Sequence, residues 1–401
     1  MTLDIDSLDK LRPLLAAGSL DDAVIDGLDL APFADDLANA SVQGTVFLNC
    51  QLPAGLRGAL PDRGAVVFPR LDGFPFEPYR NRLYTPEELF DRYDPGDPCS
   101  YCRTLDARIY DHWRDTGRGS PSHVLDALAR RLHDQSITAE LEAFLAIHAR
   151  DGLDVVAVMG GHSLSRRAPA YREVARLARD LTRAGYLMAS GGGPGAMEAT
   201  NLGAWLAPLD DDSALPEAVA ILAEAPTYRH LDWLAKAFRV KARFAPRLAE
   251  VAREDSATGG GLSLGIPTWL YGHEPPNPFA SHVAKYFANS VREEGLITVA
   301  RAGIVFAPGA AGTIQEIFQD AAQNRYAVTG EVSPMVFLDR HFWCEEKPVY
   351  PLLSKLAEGF QYENFVTAVD TAEEAIAFLR EHPPAASETS PWAYCDEYCG
   401  E

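Results

Sequence analysis

The sequence predicts an α/β protein built on a doubly wound parallel sheet. Three observations predict it. From Leu153 onward, short apolar runs suited to strands buried on both faces alternate with helical patterns. Three small-residue loops, Gly160–Ser163, Ser190–Gly195 and Pro308–Thr313, each follow such a run. In a parallel sheet all three loops open on one edge, the edge where this Rossmann-like class binds ligands.

The elements follow in order. Residues 1–150 form an N-terminal α+β region of unknown role, in which no internal repeat is evident. Leu71–Pro98 is aromatic and Pro-rich, as expected of irregular structure. His123–His148 carries two helical patterns, one on Val124, Leu125, Leu128 and Leu132, the other on Leu141, Phe144, Leu145 and His148. Asp151-Gly152 breaks the chain, and the domain boundary is placed there. The second domain is expected to span 151–383, with 384–401 as a loose tail. Val155–Met159 reads as its first strand. Tyr171–Ala184 follows as an amphipathic helix with Val174, Leu177, Ala178 and Leu181 inward. Strands are expected at Tyr186–Ala189, Ala218–Leu222, Leu262–Leu270, Gly303–Ala307, Met335–Leu338 and Phe365–Val369. Helices are expected at His230–Arg253, Ala280–Val299, after Pro308–Thr313, around Leu352–Leu356 and at Glu373–Leu379. Thr371 with Glu374 forms a capping box for the last helix, and Pro383-Pro384 ends it.

Composition narrows the function. The chain has 401 residues, 47% of them hydrophobic and 23% charged, ordinary values for a globular protein with a large core. A net charge of −21 argues against a nucleic-acid surface, which needs clustered Lys and Arg. It leaves room for a small anion held by backbone N–H groups and one or two Arg. No run is long and apolar enough for a membrane span, and the acidic start lacks the pattern of a secretory signal, so a cytoplasmic protein without membrane partners is expected. Of six Cys, Cys99/Cys102 and Cys395/Cys399 are closely spaced pairs. Four thiolates would suit a zinc ion, but the pairs lie far apart in sequence, so reduced thiols and no metal are expected.

The chemistry concentrates in Gly303–Arg325. A buried apolar run leads into Pro308-Gly309-Ala310-Ala311-Gly312-Thr313, then into a helix carrying Glu316. Strand, small-residue loop and helix start together collect an anion, since free N–H groups and the positive end of the helix dipole converge there. Alone, the stretch is also compatible with an ordinary strand–helix connection. His162 reads equally as a loop histidine or a ligand contact, and His230 and His273 read as structural. Trp205, Trp233 and Trp269 read as core or interface residues. The basic stretch 236–247 reads as balancing an acidic surface rather than holding phosphate.

Four segments in order, VMGGHS (158–163), SGGGPGAMEA (190–199), EPPNPF (274–279) and PGAAGTIQE (308–316), resemble the LOG family, once described as lysine decarboxylase-like. Among its members, these segments look most like the bacterial nucleotide 5′-monophosphate nucleosidases. The resemblance covers roughly 153–380. It implies hydrolysis of the N-glycosidic bond of nucleoside monophosphates to free base and ribose 5-phosphate, with no cofactor, in a homodimer or higher homo-oligomer. The family signature PGGxGTxxE puts its Glu on Glu316, and the family's Arg falls on Arg292. Two positions depart from the pattern: Ala310 replaces the second Gly, and Glu293-Glu294 follow Arg292 where plant-type members carry Lys. The resemblance therefore also leaves open an enzyme for N6-substituted adenine nucleotides, or a nucleotide-binding regulator without turnover. Decarboxylation is set aside, because no Lys stands in any glycine loop to carry a pyridoxal Schiff base.

Cleaving a ribosyl C–N bond passes through an oxocarbenium-like state. It needs a phosphate clamp, a carboxylate near C1′ and help for the leaving base. Gly309, Gly312 and Thr313 would supply the clamp, Glu316 the carboxylate, and Arg292 a hydrogen bond to base or substrate. Gly192, Gly193 and Gly195 would let the backbone approach the nucleotide, with Ser163 and Glu198 completing the pocket.

Overall fold

The computed structural model describes residues 3–53, 55–251 and 260–387. The chain forms two compact units, one of residues up to Asn81 with His123–Ser136, the other of Arg82–Ser122 with everything from Ile137 on. The division therefore does not follow the expected boundary at Asp151. The segment 82–122 contacts the larger unit because its apolar side chains are buried there. Tyr84 pairs through its backbone with Val283, and Trp269 donates to Asp106. The expected pair of helices around 123–148 is one helix, Val124–Arg150. Its middle, Asp134–Ala139, contains neither Gly nor Pro to interrupt it.

In the first unit the strands Leu3–Ile5, Ala23–Asp26, Val46–Leu48 and Val66–Val67 pair side by side, all parallel. Leu3 pairs with Ala23, Val24 with Val46, and Val46 with Val66, so the rungs lie 20, 22 and 20 residues apart (23 minus 3, 46 minus 24, 66 minus 46). Helical returns Leu8–Ala17, Ala34–Asn39 and Leu56–Asp62 connect them. This is a stacked repeat, contrary to the sequence reading. The first three rungs contribute only one or two buried side chains each, Ile5, Ile25 and Phe47 among them, the fourth contributes none, and the returns differ in composition, so no periodic motif surfaces.

The second unit holds a seven-stranded sheet: β1 (Val155–Met159), β2 (Leu187–Ser190), β3 (Ser263–Gly265), β4 (His282–Val283), β5 (Gly303–Phe306), β6 (Met335–Leu338) and β7 (Val366–Val369). The spatial order is β7-β6-β5-β1-β2-β3-β4 and every pairing is parallel. Both faces are covered, which is why β1, β2, β5 and β6 are uninterrupted runs of buried residues. Helix α1 (Pro169–Arg183) joins β1 to β2. Helices α2 (Ala196–Leu206), α3 (Ala214–Leu222) and α4 (Trp233–Val251) lie between β2 and β3, α5 (Asn289–Val299) precedes β5, and α6 (Ala311–Tyr326) follows it. Pro169 starts α1, and Tyr171, Val174, Leu177 and Leu181 are fully buried along one stripe. Each such side chain contributes about 1.5–3 kcal/mol.

Four expectations change. Ala218–Leu222 is the end of helix α3, not a strand: Ala214, Leu215, Ala218, Val219 and Leu222 form one buried helical face, which a short apolar run disguises. In Leu262–Leu270 only Ser263–Gly265 is a strand, since Pro267 has no N–H to continue the ladder and Trp269–Tyr271 turns into a short 3-10 helix. Ala280–Val299 is helical only from Asn289, its first part being β4 and a loop. The tail from 384 begins with order, because Ala385–Ala386 pairs antiparallel with Glu331–Val332. Thr371 caps the last helix, Ala372–Glu381, accepting from the Glu374 N–H at 3.2 Å.

Among the described residues no helix is long and apolar enough to cross a membrane. Cys99 and Cys102 are exposed free thiols, and Cys395 and Cys399 lie outside the described residues. Among the described residues no His, Cys, Asp and Glu cluster is arranged to hold a metal.

Candidate functional site

From β1 the chain winds outward to β4, then returns to lay β5, β6 and β7 on the other side of β1. The loops after β1 and β5 therefore leave in opposite directions, opening a crevice at the C-terminal sheet edge. A cavity of about 480 Å³ lies there, lined by Gly160–Ser163 after β1, Ala310–Thr313 at the start of α6, Glu316, and Arg292 and Glu293 of α5. That size suits a small metabolite.

Ala310 precedes α6 with φ −118° and ψ −152°, and among the described residues no side chain caps the helix. This is extended backbone that any residue adopts, so the departure from Gly at Ala310 carries no strain. The first N–H groups of α6 have no partner inside the helix and face the cavity with the dipole's positive end. A Cβ at Gly312 would meet nothing within 4 Å, so this stretch of backbone stands open. Gly309 does not line the cavity. Its carbonyl instead accepts from Lys347 Nζ at 2.6 Å, which pins the loop from behind.

Arg292 and Glu316 are brought together, with Nη1 donating to Oε1 at 3.1 Å and each residue 9% exposed. Burial pushes the Glu316 carboxyl above the usual carboxylate range, and Glu293 adds to this while Arg292 opposes it. Arg292 Nε is buried with no hydrogen-bond partner among the described residues. An uncommitted donor of that kind is costly unless something in the cavity accepts from it.

The glycines of the second loop do structural work. Gly192, Gly193 and Gly195 are buried and none lines the cavity, although Gly191 does. Asn277 of the EPPNPF segment staples this loop: its N–H donates to the Gly192 carbonyl at 2.9 Å and its Nδ2 to the Gly193 carbonyl at 3.1 Å. Gly195 has φ +70°, and a Cβ there would stand 2.3 Å from the Gly161 carbonyl oxygen, so the residue lets two loops cross. At Gly160 a Cβ would stand 2.7 Å from the Ala196 Cβ and 2.9 Å from the Ala307 Cβ.

Ser163 lines the cavity and is exposed, but Glu198 is no part of it. Glu198 is fully buried and paired with Arg166, whose Nε donates to Oε2 at 2.8 Å and whose Nη2 reaches Oε1. The Tyr171 hydroxyl donates to the same carboxylate at 2.9 Å. Arg166 also donates to the carbonyls of Ala225 and Trp233 at 3.1 Å and stacks 4.7 Å above the Trp233 ring. An acidic residue in the first turn of α2 turns inward here because a buried arginine is waiting for it.

Sequence reasoning missed several lining residues, Tyr228, Arg229, Tyr271, His273 and Glu274 among them. The first two follow a segment misread as a strand. Glu274 opens the quoted EPPNPF segment, but nothing in the sequence says where its carboxylate points. In the structure Glu274 Oε1 lies 3.5 Å from His162 Nδ1 and 3.6 Å from His273 Nε2. His162 also meets the Tyr228 ring edge-on. The basic helix α4 is spent on surface pairs, Lys241 with Glu87, Arg243 with Glu217 and Lys236 with Glu224 among them. Trp205, Trp233 and Trp269 are core residues.

No protein-family profile and no curated protein matches this chain. Solved structures are similar to it at low scores. The molybdenum cofactor binding protein of Rippkaea orientalis matches with a TM-score of 0.34 and 13% identity, over 57% of this chain and 96% of that one. The molybdenum cofactor carrier protein of Chlamydomonas reinhardtii gives 0.34 and 13%, over 57% and 97%. TM1055 gives 0.34 and 18%, over 57% and 99%. The fold class rests on the strand pairing described above.

Proposed function

We propose that the chain hydrolyses the N-glycosidic bond of nucleoside 5′-monophosphates, releasing base and ribose 5-phosphate. The observation that carries this reading is the buried Arg292–Glu316 pair beside the uncapped start of α6. The backbone N–H groups of Ala311, Gly312 and Thr313 bind the phosphate. Glu316, a turn further along, sits where the ribose C1′ would reach. Its carboxylate stabilises the cationic transition state and takes a proton from the attacking water. Arg292 holds Glu316 in place with Nη1 and offers Nε to the substrate. The four-segment resemblance to the LOG family supports the same chemistry. A homo-oligomer belongs to the proposal and is tested by light scattering.

The test incubates purified protein with AMP, GMP, CMP, UMP and IMP and reads free base by chromatography. Glu316→Gln is expected to lose about 10²–10⁴-fold in turnover while keeping the fold. Absence of base release from every substrate by folded protein overturns the reading.

A further inference from the structure

Hydrolysis at C1′ leaves the nucleobase with an electron pair, and neither Arg292 nor Glu316 deals with it. A guanidinium does not give up its proton, and Glu316 is engaged with Arg292 and the water. The cavity contains a second glutamate on a different element. Glu274 comes from the loop after the 3-10 helix Trp269–Tyr271, and its side chain is 12% exposed. The loop is fixed on both sides. The Glu274 N–H donates to the Tyr271 carbonyl at 2.8 Å, Pro275 and Pro276 stiffen the next two residues, and Asn277 is tied to the Gly192 carbonyl. The groups facing the carboxyl are His162 and His273 through Oε1, with Arg292 close enough to act on it electrostatically and Arg229, Glu293 and Glu316 lining the same cavity.

We propose that Glu274 is the proton donor to the departing base, and that the cavity therefore acts on nucleotides whose base takes a proton on a ring nitrogen away from the glycosidic bond, as purines do at N7. The assignment rests on the nucleosidase reading above. The C1′–N9 bond breaks and its electron pair passes into the base, whose N7 takes the proton from Glu274. Water oxygen adds to C1′ and its proton goes to Glu316. Glu274 ends ionised and Glu316 neutral, and exchange with solvent restores both. The two carboxyls differ in their neighbours. Glu316 has a guanidinium within hydrogen-bond reach to favour its ion, whereas Glu274 faces imidazoles. Burial pushes both carboxyls up; Arg292 opposes it through a direct hydrogen bond at Glu316, but at Glu274 only His273 and Arg292 oppose it, without a hydrogen bond from the guanidinium. Burial and Arg229 push His162 down, in the opposite sense to the Glu274 carboxyl.

The experiment compares GMP with its N7-methyl derivative, whose base already carries positive charge and departs without a proton. Glu274→Gln is expected to lose a hundredfold or more in kcat on GMP but less than tenfold on the N7-methyl nucleotide. Wild-type kcat on GMP is expected to fall as pH rises through the Glu274 pKa, a limb missing for the N7-methyl substrate. The pH comparison needs no variant and stands if Glu274→Gln fails to fold. Equal losses on both substrates, no loss on either, or the same alkaline limb for both overturn the proposal. If wild-type protein releases base from neither nucleotide, the nucleosidase reading itself has failed. Release from both with equal losses in Glu274→Gln removes only the proton-donor role.

Discussion

Replacing Glu198 by Ala tests whether that residue serves the site or the core. Arg166 is 1% exposed and Glu198 fully buried, so the substitution strands a guanidinium in the interior. Breaking a buried pair by removing one partner costs about 3–5 kcal/mol. The Tyr171 hydroxyl loses its acceptor as well, a further ~1–3 kcal/mol where nothing else accepts. These terms overlap, and a net loss of about 5 kcal/mol is expected, a large share of the ~5–15 kcal/mol that holds a typical domain together. Urea denaturation at neutral pH reads it, with Trp233 fluorescence as a local reporter because Arg166 stacks on that ring. The paired substitution Arg166→Met with Glu198→Leu removes both charges and is expected to recover most of the loss. A Glu198→Ala protein that melts within 1 kcal/mol of wild type but no longer binds nucleotide refutes the reasoning and returns Glu198 to the site.

Two further outcomes follow from the same region of the fold. Asp320 is fully buried, and neither of its carboxylate oxygens has a hydrogen-bond partner among the described residues. Burial raises its pKa well above the ordinary value, so its contribution to stability is whole below the unfolded pKa and is lost as pH rises toward and through the folded one. Asp320→Asn lacks that loss, so its melting advantage over wild type is expected to be larger at alkaline than at acidic pH; equal differences at both refute this. Lys347→Met removes the donor behind the Gly309 carbonyl and loosens the Pro308–Thr313 loop. With a charged hydrogen bond worth about 1.5–3 kcal/mol, KM for a nucleoside monophosphate is expected to rise about tenfold while kcat changes far less, and unchanged KM refutes the anchoring role.

Much of the larger unit was legible because parallel strands buried on both faces leave dense apolar runs. Val155–Met159, Gly303–Phe306 and Met335–Leu338 declare themselves that way. The strand expected at Ala218–Leu222 failed for the same reason, since the buried end of a helix in a short apolar run looks like a strand. The stacked rungs of the first unit were hidden because their regularity lies in backbone pairing rather than in repeated residues. Within the candidate site, Glu316 was readable from a signature and Arg292 from an approximate spacing ahead of it that needs one inserted residue, and the two lie 3.1 Å apart. Glu198 stood in an equally suggestive segment, yet its direction was decided by Arg166, 32 residues away. Glu274 was invisible as a cavity residue because loop geometry, set by the Asn277 contacts, aims it.

The close approach of Gly160, Ala196 and Ala307 bears on how such a site can drift over time. Their positions come from three separate segments, the loop after β1, the start of α2 and the end of β5, yet they share one small volume. A larger side chain at Gly160 would be admitted only after a second change had already cleared room for it. In an alignment of relatives these three columns are therefore expected to vary together or not at all. The crevice would then diversify through its rim, at residues such as Tyr228, Tyr271 and His273, while its floor is held by mutual exclusion.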